Sequence, residues 1–393
     1  MTDIPESPVD LWADEVLADP YPVFRELREL GPVVFCPEYG IYALTGYQGV
    51  RDALRDHNVF STGLGVGFTP IEDRFLASVI ISASPPEHTR IRGVLGRSMG
   101  LSAISRLESN VRTHAEAIVK GLLERGTFDV VPEVAEALPL RVVGDFIGFP
   151  EKDRPSLLPW AYAAFDLMGP PTGRVLKQAK MFETAYLYLF GLAERRDLTP
   201  GSVGMAVFEA VDQGKLEMRE ALSLFTDTFI VSPIVSTVTL LSNLLLQFAK
   251  HPASWERLIA QPSLAYSAVE ESLRYEAPLP YFFRQTTQDV NVSGTVIPAD
   301  SRVVLMLGSA NRDPANWQDP DSFDIGRELY TQLSFGGGIH TCLGIHLARL
   351  EARVLLETLS QQVATLELAG TPTRQLNTMV RGYASAPFRV TGR

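Results

Sequence analysis

Apolar residues recur along most of the chain at the three- and four-residue spacing of helices, interrupted by short alternating stretches. Asp19-Pro-Tyr-Pro opens a stripe that reads as a helix with a proline-rich start. Val33–Phe35 and Ile41–Leu44 read as strands about a Pro-Glu-Tyr-Gly turn, and Gly46–Arg55 as a helix. Ser61–Ser84 contains Gly and Pro and is too long for a plain connector, so it is a candidate binding loop. Helices are expected over Glu87–Ser98, Ala103–Glu124, Val131–Ile147, Pro155–Met168, Val175–Arg195, Val203–Gln213, Met218–Lys250, Ala253–Ala260 and Ala265–Tyr275. Short strands follow at Phe283–Thr287, Val290–Val292 and Val303–Met306. A last helix over Leu343–Gln361 precedes a strand-rich tail through Val390. The pattern predicts a mainly α protein with small peripheral β-sheets.

Composition narrows the picture. The 393 residues show no linker, repeat or low-complexity tract, so residues 1–393 read as one domain despite a length that would allow two or three. With 46% hydrophobic residues the chain can bury a large core. A net charge of −11 argues against nucleic acid or an anionic membrane as partner. The first residues, Met1-Thr-Asp-Ile-Pro-Glu-Ser-Pro, lack the basic and apolar regions of a signal peptide. The longest apolar approach to a membrane span, Phe229–Leu246, is broken by Ser, Thr, Asn and Pro. Cys36 and Cys342 do not make a disulfide framework, and the chain reads as cytoplasmic.

Chemistry concentrates near the C-terminal end. Phe335-Gly-Gly-Gly-Ile-His-Thr-Cys342-Leu-Gly344 delivers a cysteine to the start of a helix. Unpaired N–H groups there favour a thiolate. Gly336, Gly337 and Gly338 let the backbone turn tightly and approach something flat. A thiolate so held, beside the aromatic Phe335, suits axial ligation of heme iron.

This loop resembles the Phe-x-x-Gly-x-x-x-Cys-x-Gly signature of the cytochrome P450 family, matched at Phe335, Gly338, Cys342 and Gly344. The resemblance runs from Asp19 to Phe388 and implies the cytochrome P450 fold and non-covalent heme b, with Cys342 as metal ligand and Gly336 and Phe335 beside the cofactor. Glu271-Ser-Leu-Arg274 places opposite charges on one helix face. The resemblance makes this pair, with Arg327, a structural brace for the cysteine loop. It also assigns His88, Arg92, Arg284 and His340 to the heme propionates, which need cationic or hydrogen-bonding partners once enclosed.

The central helix departs from the family. Members that activate O₂ usually carry an acid–alcohol pair there, and this chain has Val235-Ser236. Pro233 lacks an N–H and should kink the helix. Ser236, or Thr237 if the register differs by one, is the candidate for proton delivery.

Leu64, Val66, Phe68, Phe165, Met168, Ile234, Val235, Leu279, Tyr281, Phe282 and Met379 are candidate pocket walls. They are apolar or aromatic and suit a small hydrophobic or aromatic substrate. Segments Phe60–Phe68 and Phe165–Gly169 look similar to bacterial members acting on para-substituted benzoates. Ser61, Thr62 or Arg381 would then meet a substrate carboxylate. The implied activity is monooxygenation, as hydroxylation or O-dealkylation, with electrons from NAD(P)H through a ferredoxin and its reductase. Arg92, Arg97 and Arg349 are candidates for a basic docking patch, and the protein is expected to be monomeric. Two other readings stand beside this one. The first is a peroxide-using or non-oxygenating heme-thiolate enzyme, for dehydration or coupling; the second is a non-catalytic, heme-bearing recruitment protein.

Overall fold

The computed structural model describes residues 4–71, 80–328 and 331–393. Residues 72–79 of the expected binding loop therefore lie outside the described residues. Helices dominate, and the sheets are small and set at the edges. The largest sheet has five strands in the order Val33–Cys36, Ile41–Leu44, Arg302–Leu305, Phe282–Thr286 and Phe60–Ser61. Ile41–Leu44 runs parallel to Arg302–Leu305, and the other pairs are antiparallel. Thr127–Asp129, Pro387–Gly392 and Val363–Leu368 form a three-stranded sheet that ties the tail to the helical body.

The longest helical run forms the axis of the protein. It begins as α-helix Met218–Ser223, widens to a π-helix over Leu224–Val231, and continues as α-helix Ser232–Lys250. By length and composition Met218–Lys250 could cross a membrane, which its sequence breaks were expected to prevent. However, 78% of its most apolar window is buried inside the protein. A helix apolar all round is what a core element requires. Leu157–Asp166, Ala265–Tyr275 and Ile345–Gln362 pack against its second half. One apolar cluster extends from Leu11 to Val390, drawing its members from nearly every helix.

The expected kink at Pro233 takes a different form. Pro233 stands near the start of the second α-segment, where a missing N–H costs little, and the irregularity lies upstream in the π-stretch. A second π-stretch, Val131–Glu136, opens the helix expected as continuous to Ile147, and a 3₁₀ turn, Glu151–Ser156, precedes Leu157.

Candidate active site

The cysteine loop is shaped by hydrogen bonds and by glycine. The Cys342 N–H donates to the Phe335 carbonyl at 2.9 Å, closing the loop on itself. Gly338 adopts φ +65°, and a Cβ there would stand 2.7 Å from the Leu54 carbonyl. Helix Ile345–Gln362 then begins without a side-chain cap. The Gly344 and Ile345 N–H groups serve the Cys342 sulfur instead, satisfying donors that a helix start leaves free.

Those amides do not by themselves yield the expected thiolate. Burial pushes the Cys342 thiol up, against the pull of the two N–H groups, Arg92 and Arg349. An iron held by Cys342 would offset this, since a thiol bound to metal loses its proton outright.

Behind the loop, the Glu271–Arg274 pair is fully buried, with guanidinium nitrogens 2.7 and 2.9 Å from the carboxylate oxygens. Arg274 also donates to the carbonyls of Asn311, Pro320 and Ser322 at 2.8–2.9 Å. Arg327 approaches Glu271 at 3.4 Å. Asn311 links this brace to the cysteine loop by accepting from the Leu333 N–H and donating to the Ser334 hydroxyl. Arg349 is bound to Glu270 at 2.6 Å and lies over Phe335, so its charge is already compensated and its place in a basic docking patch is weakened.

Four cationic or imidazole side chains from three segments gather at the cysteine loop. His88 and Arg92 come from helix Glu87–Met99, Arg284 from the large sheet, and His340 from the loop. His88 and His340 meet edge to face with ring centroids 4.8 Å apart. Arg92 donates to the Thr341 carbonyl at 2.6 Å, and His340 Nε2 is 3.2 Å from the Thr62 hydroxyl. Burial, then Arg284 and the neighbouring imidazoles and Arg92, holds His340 down to about 3. Burial, then Arg302, brings Arg284 down to about 10. The charges acting on these groups are mutually repulsive, with the Cys342 sulfur as the exception. Among the described residues, buried His88 Nε2 has no hydrogen-bond partner. Such a gathering calls for an anion, and two propionates of a flat macrocycle lying on the cysteine loop fit it.

On the central helix, Ser236 is partly exposed and its hydroxyl donates to the Ser232 carbonyl at 2.6 Å. Thr237 is buried, which favours Ser236 of the two alcohols. Val235 and Ile234 are fully buried.

Some of the segments expected as pocket walls meet through their backbones. Phe68 N–H donates to the Met168 carbonyl at 2.6 Å, Phe283 N–H to Val66 at 2.9 Å, and Thr378 N–H to the Asp166 carboxylate at 2.9 Å. Gly67 permits this approach, since a Cβ would lie 2.8 Å from the Met168 carbonyl. Met379 is buried, whereas Leu64, Leu279 and Phe282 are half-buried, and Phe165 packs in the core. Phe68 and Tyr281 turn toward Trp12, at 5.3 and 6.1 Å between centroids, and join an aromatic cluster with Phe283. Arg381 is bound to Glu276 and to the Ala18 carbonyl, so it is not available for a substrate carboxylate. Sequence reading missed Arg302, whose buried guanidinium donates to the carbonyls of Gly65, Gly67 and Phe68 and holds the loop over the sheet. A lone arginine on a short strand reads as solvated until the loop above it is placed.

A family profile described as Cytochrome P450 matches residues 209–371. Over the whole length, the chain is 36% identical to cytochrome P450 CYP199A2 of Rhodopseudomonas palustris, covering 99% of this chain and 95% of the relative. It is 32% identical to the vitamin D(3) 25-hydroxylase of Pseudonocardia autotrophica, covering 96% and 95%. Among solved structures it is similar to cytochrome P450 CYP109Q5 from Chondromyces apiculatus, with a TM-score of 0.85 and 31% identity over 98% of both chains. The protein belongs to the cytochrome P450 family of heme-dependent monooxygenases.

Proposed function

We propose that the protein is an NAD(P)H-driven monooxygenase acting on a small hydrophobic or aromatic substrate, by hydroxylation or O-dealkylation. Heme held there would supply the oxidising chemistry, one oxygen atom of O₂ going into the substrate and the other to water. Cys342 would hold the iron, His88, Arg92, Arg284 and His340 the propionates, and Phe335 and Gly336 the face of the ring. Glu271, Arg274 and Arg327 keep the loop in shape. The observation that carries the reading is the convergence of four anion-seeking side chains on the cysteine loop, where buried His88 Nε2 has no partner among the described residues.

Leu64, Val66, Ile234, Val235, Leu279, Phe282 and Met379 supply apolar surface, while Phe165, Met168, Phe68 and Tyr281 fix the backbone around it. The relatives differ in substrate, so the family alone does not choose one. A para-substituted benzoate fits the resemblance of the two pocket segments. Electrons would come from a ferredoxin and its reductase, and the protein would work in the cytoplasm as a single-domain monomer.

The test is titration of the ferric, heme-loaded protein with aromatic acids and with larger apolar compounds, reading the Soret band. A low-spin to high-spin shift with aromatic acids supports this substrate class. A shift with the larger compounds alone overturns it.

Val235 favours a second reading, use of peroxide in place of O₂ and two electrons, because peroxide brings its own protons. Product formation with hydrogen peroxide and none with ferredoxin and NAD(P)H would establish it.

A further inference from the structure

Two buried acids stand side by side on helix Ala265–Tyr275, and they serve different partners. Glu271 holds Arg274 in the brace behind the loop. Glu270, only 2% exposed, takes two hydrogen bonds from Arg349, from Nε at 2.6 Å and from Nη2 at 2.8 Å. This is the forked geometry that matches a guanidinium to a carboxylate.

Arg349 lies in the second turn of helix Ile345–Gln362, which begins just after Cys342. Its guanidinium carbon is 5.0 Å from the centre of the Phe335 ring, and the Phe335 carbonyl accepts from the Cys342 N–H. Gln332 ties the same acid to the other end of the loop. Its amide donates to Glu270 Oε2 at 3.2 Å, and its side-chain oxygen accepts from the Ser334 N–H at 2.7 Å. Glu270 therefore grips the ligand loop on both sides, before Phe335 through Gln332 and after Cys342 through Arg349.

The cations acting on the Cys342 sulfur are Arg92 and Arg349. Arg92 donates to the Thr341 carbonyl and belongs to the side expected to meet the propionates. Arg349 has a protein carboxylate of its own. A cation joined to a carboxylate acts at a distance as a dipole, and its field fades faster than that of a bare charge.

We propose, resting on the reading of Cys342 as the heme ligand, that Glu270 sets how strongly Cys342 donates electron density, by cancelling the charge of Arg349 beside it. A bare cation there would draw density off the sulfur and favour the reduced cofactor. Electron donation from an axial thiolate favours O–O cleavage. That donation counts for more in a chain whose central helix carries Val235 in place of an acid. Glu270 touches neither substrate nor cofactor; it acts through Arg349 and is a positioning residue.

The experiment measures the heme midpoint potential by anaerobic spectroelectrochemical titration. It compares heme-loaded wild type, Glu270→Gln, Arg349→Gln and the double variant, with the reduced carbon monoxide adduct confirming thiolate ligation in each. Glutamine keeps the size of the acid and can still accept from Arg349. Glu270→Gln should raise the potential, because Arg349 is left uncompensated. Arg349→Gln should lower it, because the carboxylate is left alone. The double variant should return close to wild type. Each single change should move the reduction equilibrium by about threefold or more, the scale of a partly screened unit charge near the sulfur. Loss of shape alone would move both single variants the same way, so shifts of like sign overturn the proposal, as do potentials equal to wild type. If Glu270→Gln does not accumulate as folded protein, Arg349→Gln decides, since its side chain is one-quarter exposed. A lowered potential then supports the proposal, and an unchanged or raised one overturns it. A wild type without a thiolate-ligated adduct overturns instead the reading of Cys342 as ligand, and this proposal with it.

Discussion

The rings of His88 and His340 meet edge to face, 4.8 Å apart, from elements far separated in sequence. This contact joins helix Glu87–Met99 to the cysteine loop.

Removal of one member of this group should loosen the cofactor. A hydrogen bond to a charged group contributes about 1.5–3 kcal/mol, which is about ten- to a hundredfold in heme release. His88→Ala and Arg92→Ala should each speed heme transfer to a scavenging apoprotein by that factor. Arg97→Ala, on the exposed side of the same helix, should leave the rate unchanged.

Glu271→Gln should prevent accumulation of folded, heme-loaded protein. Breaking a fully buried pair costs about 3–5 kcal/mol, a large part of a typical protein's stability. Arg274→Lys should fail similarly, because an ammonium cannot serve a bidentate carboxylate and three carbonyls together. Heme content and thermal unfolding of the purified variants check both outcomes.

Gly338→Ala should disturb the ligand loop without unfolding the protein. The residue would need φ +65° and a Cβ 2.7 Å from the Leu54 carbonyl. The reduced carbon monoxide adduct should show a smaller thiolate-ligated fraction. Gly93→Ala, in helix Glu87–Met99 with nothing within 4 Å, should instead stabilise by about 0.5–1 kcal/mol.

Asp227→Asn should stabilise the fold at pH 8 and lose that advantage in acid. The carboxyl is raised from 3.8 to about 6 by burial, so the folded state binds its proton more tightly than the unfolded state does. Stability from this group is present below about pH 4 and is lost as pH rises through about 6. The amide has no ionisation to oppose. Melting temperatures of variant and wild type should therefore separate above pH 6 and converge below pH 4; separation that grows toward acid would contradict this assignment.

Arg302→Gln should weaken ligand binding more than heme binding. Its guanidinium holds the Gly65, Gly67 and Phe68 carbonyls on the face of the sheet opposite to Arg284. The spin-state titration should show a raised dissociation constant for aromatic acids, with heme content intact.

The helices were legible because a long apolar stripe at period 3.6 has few other uses. The cysteine loop was legible because its glycines and its ligand lie within one short segment. The π-stretch at Leu224–Val231 was not. A change from i−4 to i−5 hydrogen bonding leaves no side-chain period in a helix that is apolar on all sides. Asp227 therefore does not stand out from the sequence of that helix. Arg302 and Arg381 were misread or missed for a related reason: an arginine's partner is chosen by whatever chain lies over it.

By itself the sequence determined the helical architecture and the glycine-rich cysteine loop, because these depend on local spacing and residue chemistry, while the residues expected to face an anion followed from the family resemblance. Tertiary structure alone decided which arginines remain uncompensated, that Phe68 and Tyr281 pack against Trp12, and that Asp227 faces a cavity without a cation. Each of these depends on contacts between distant segments, and burial converts such contacts into charge and proton affinity.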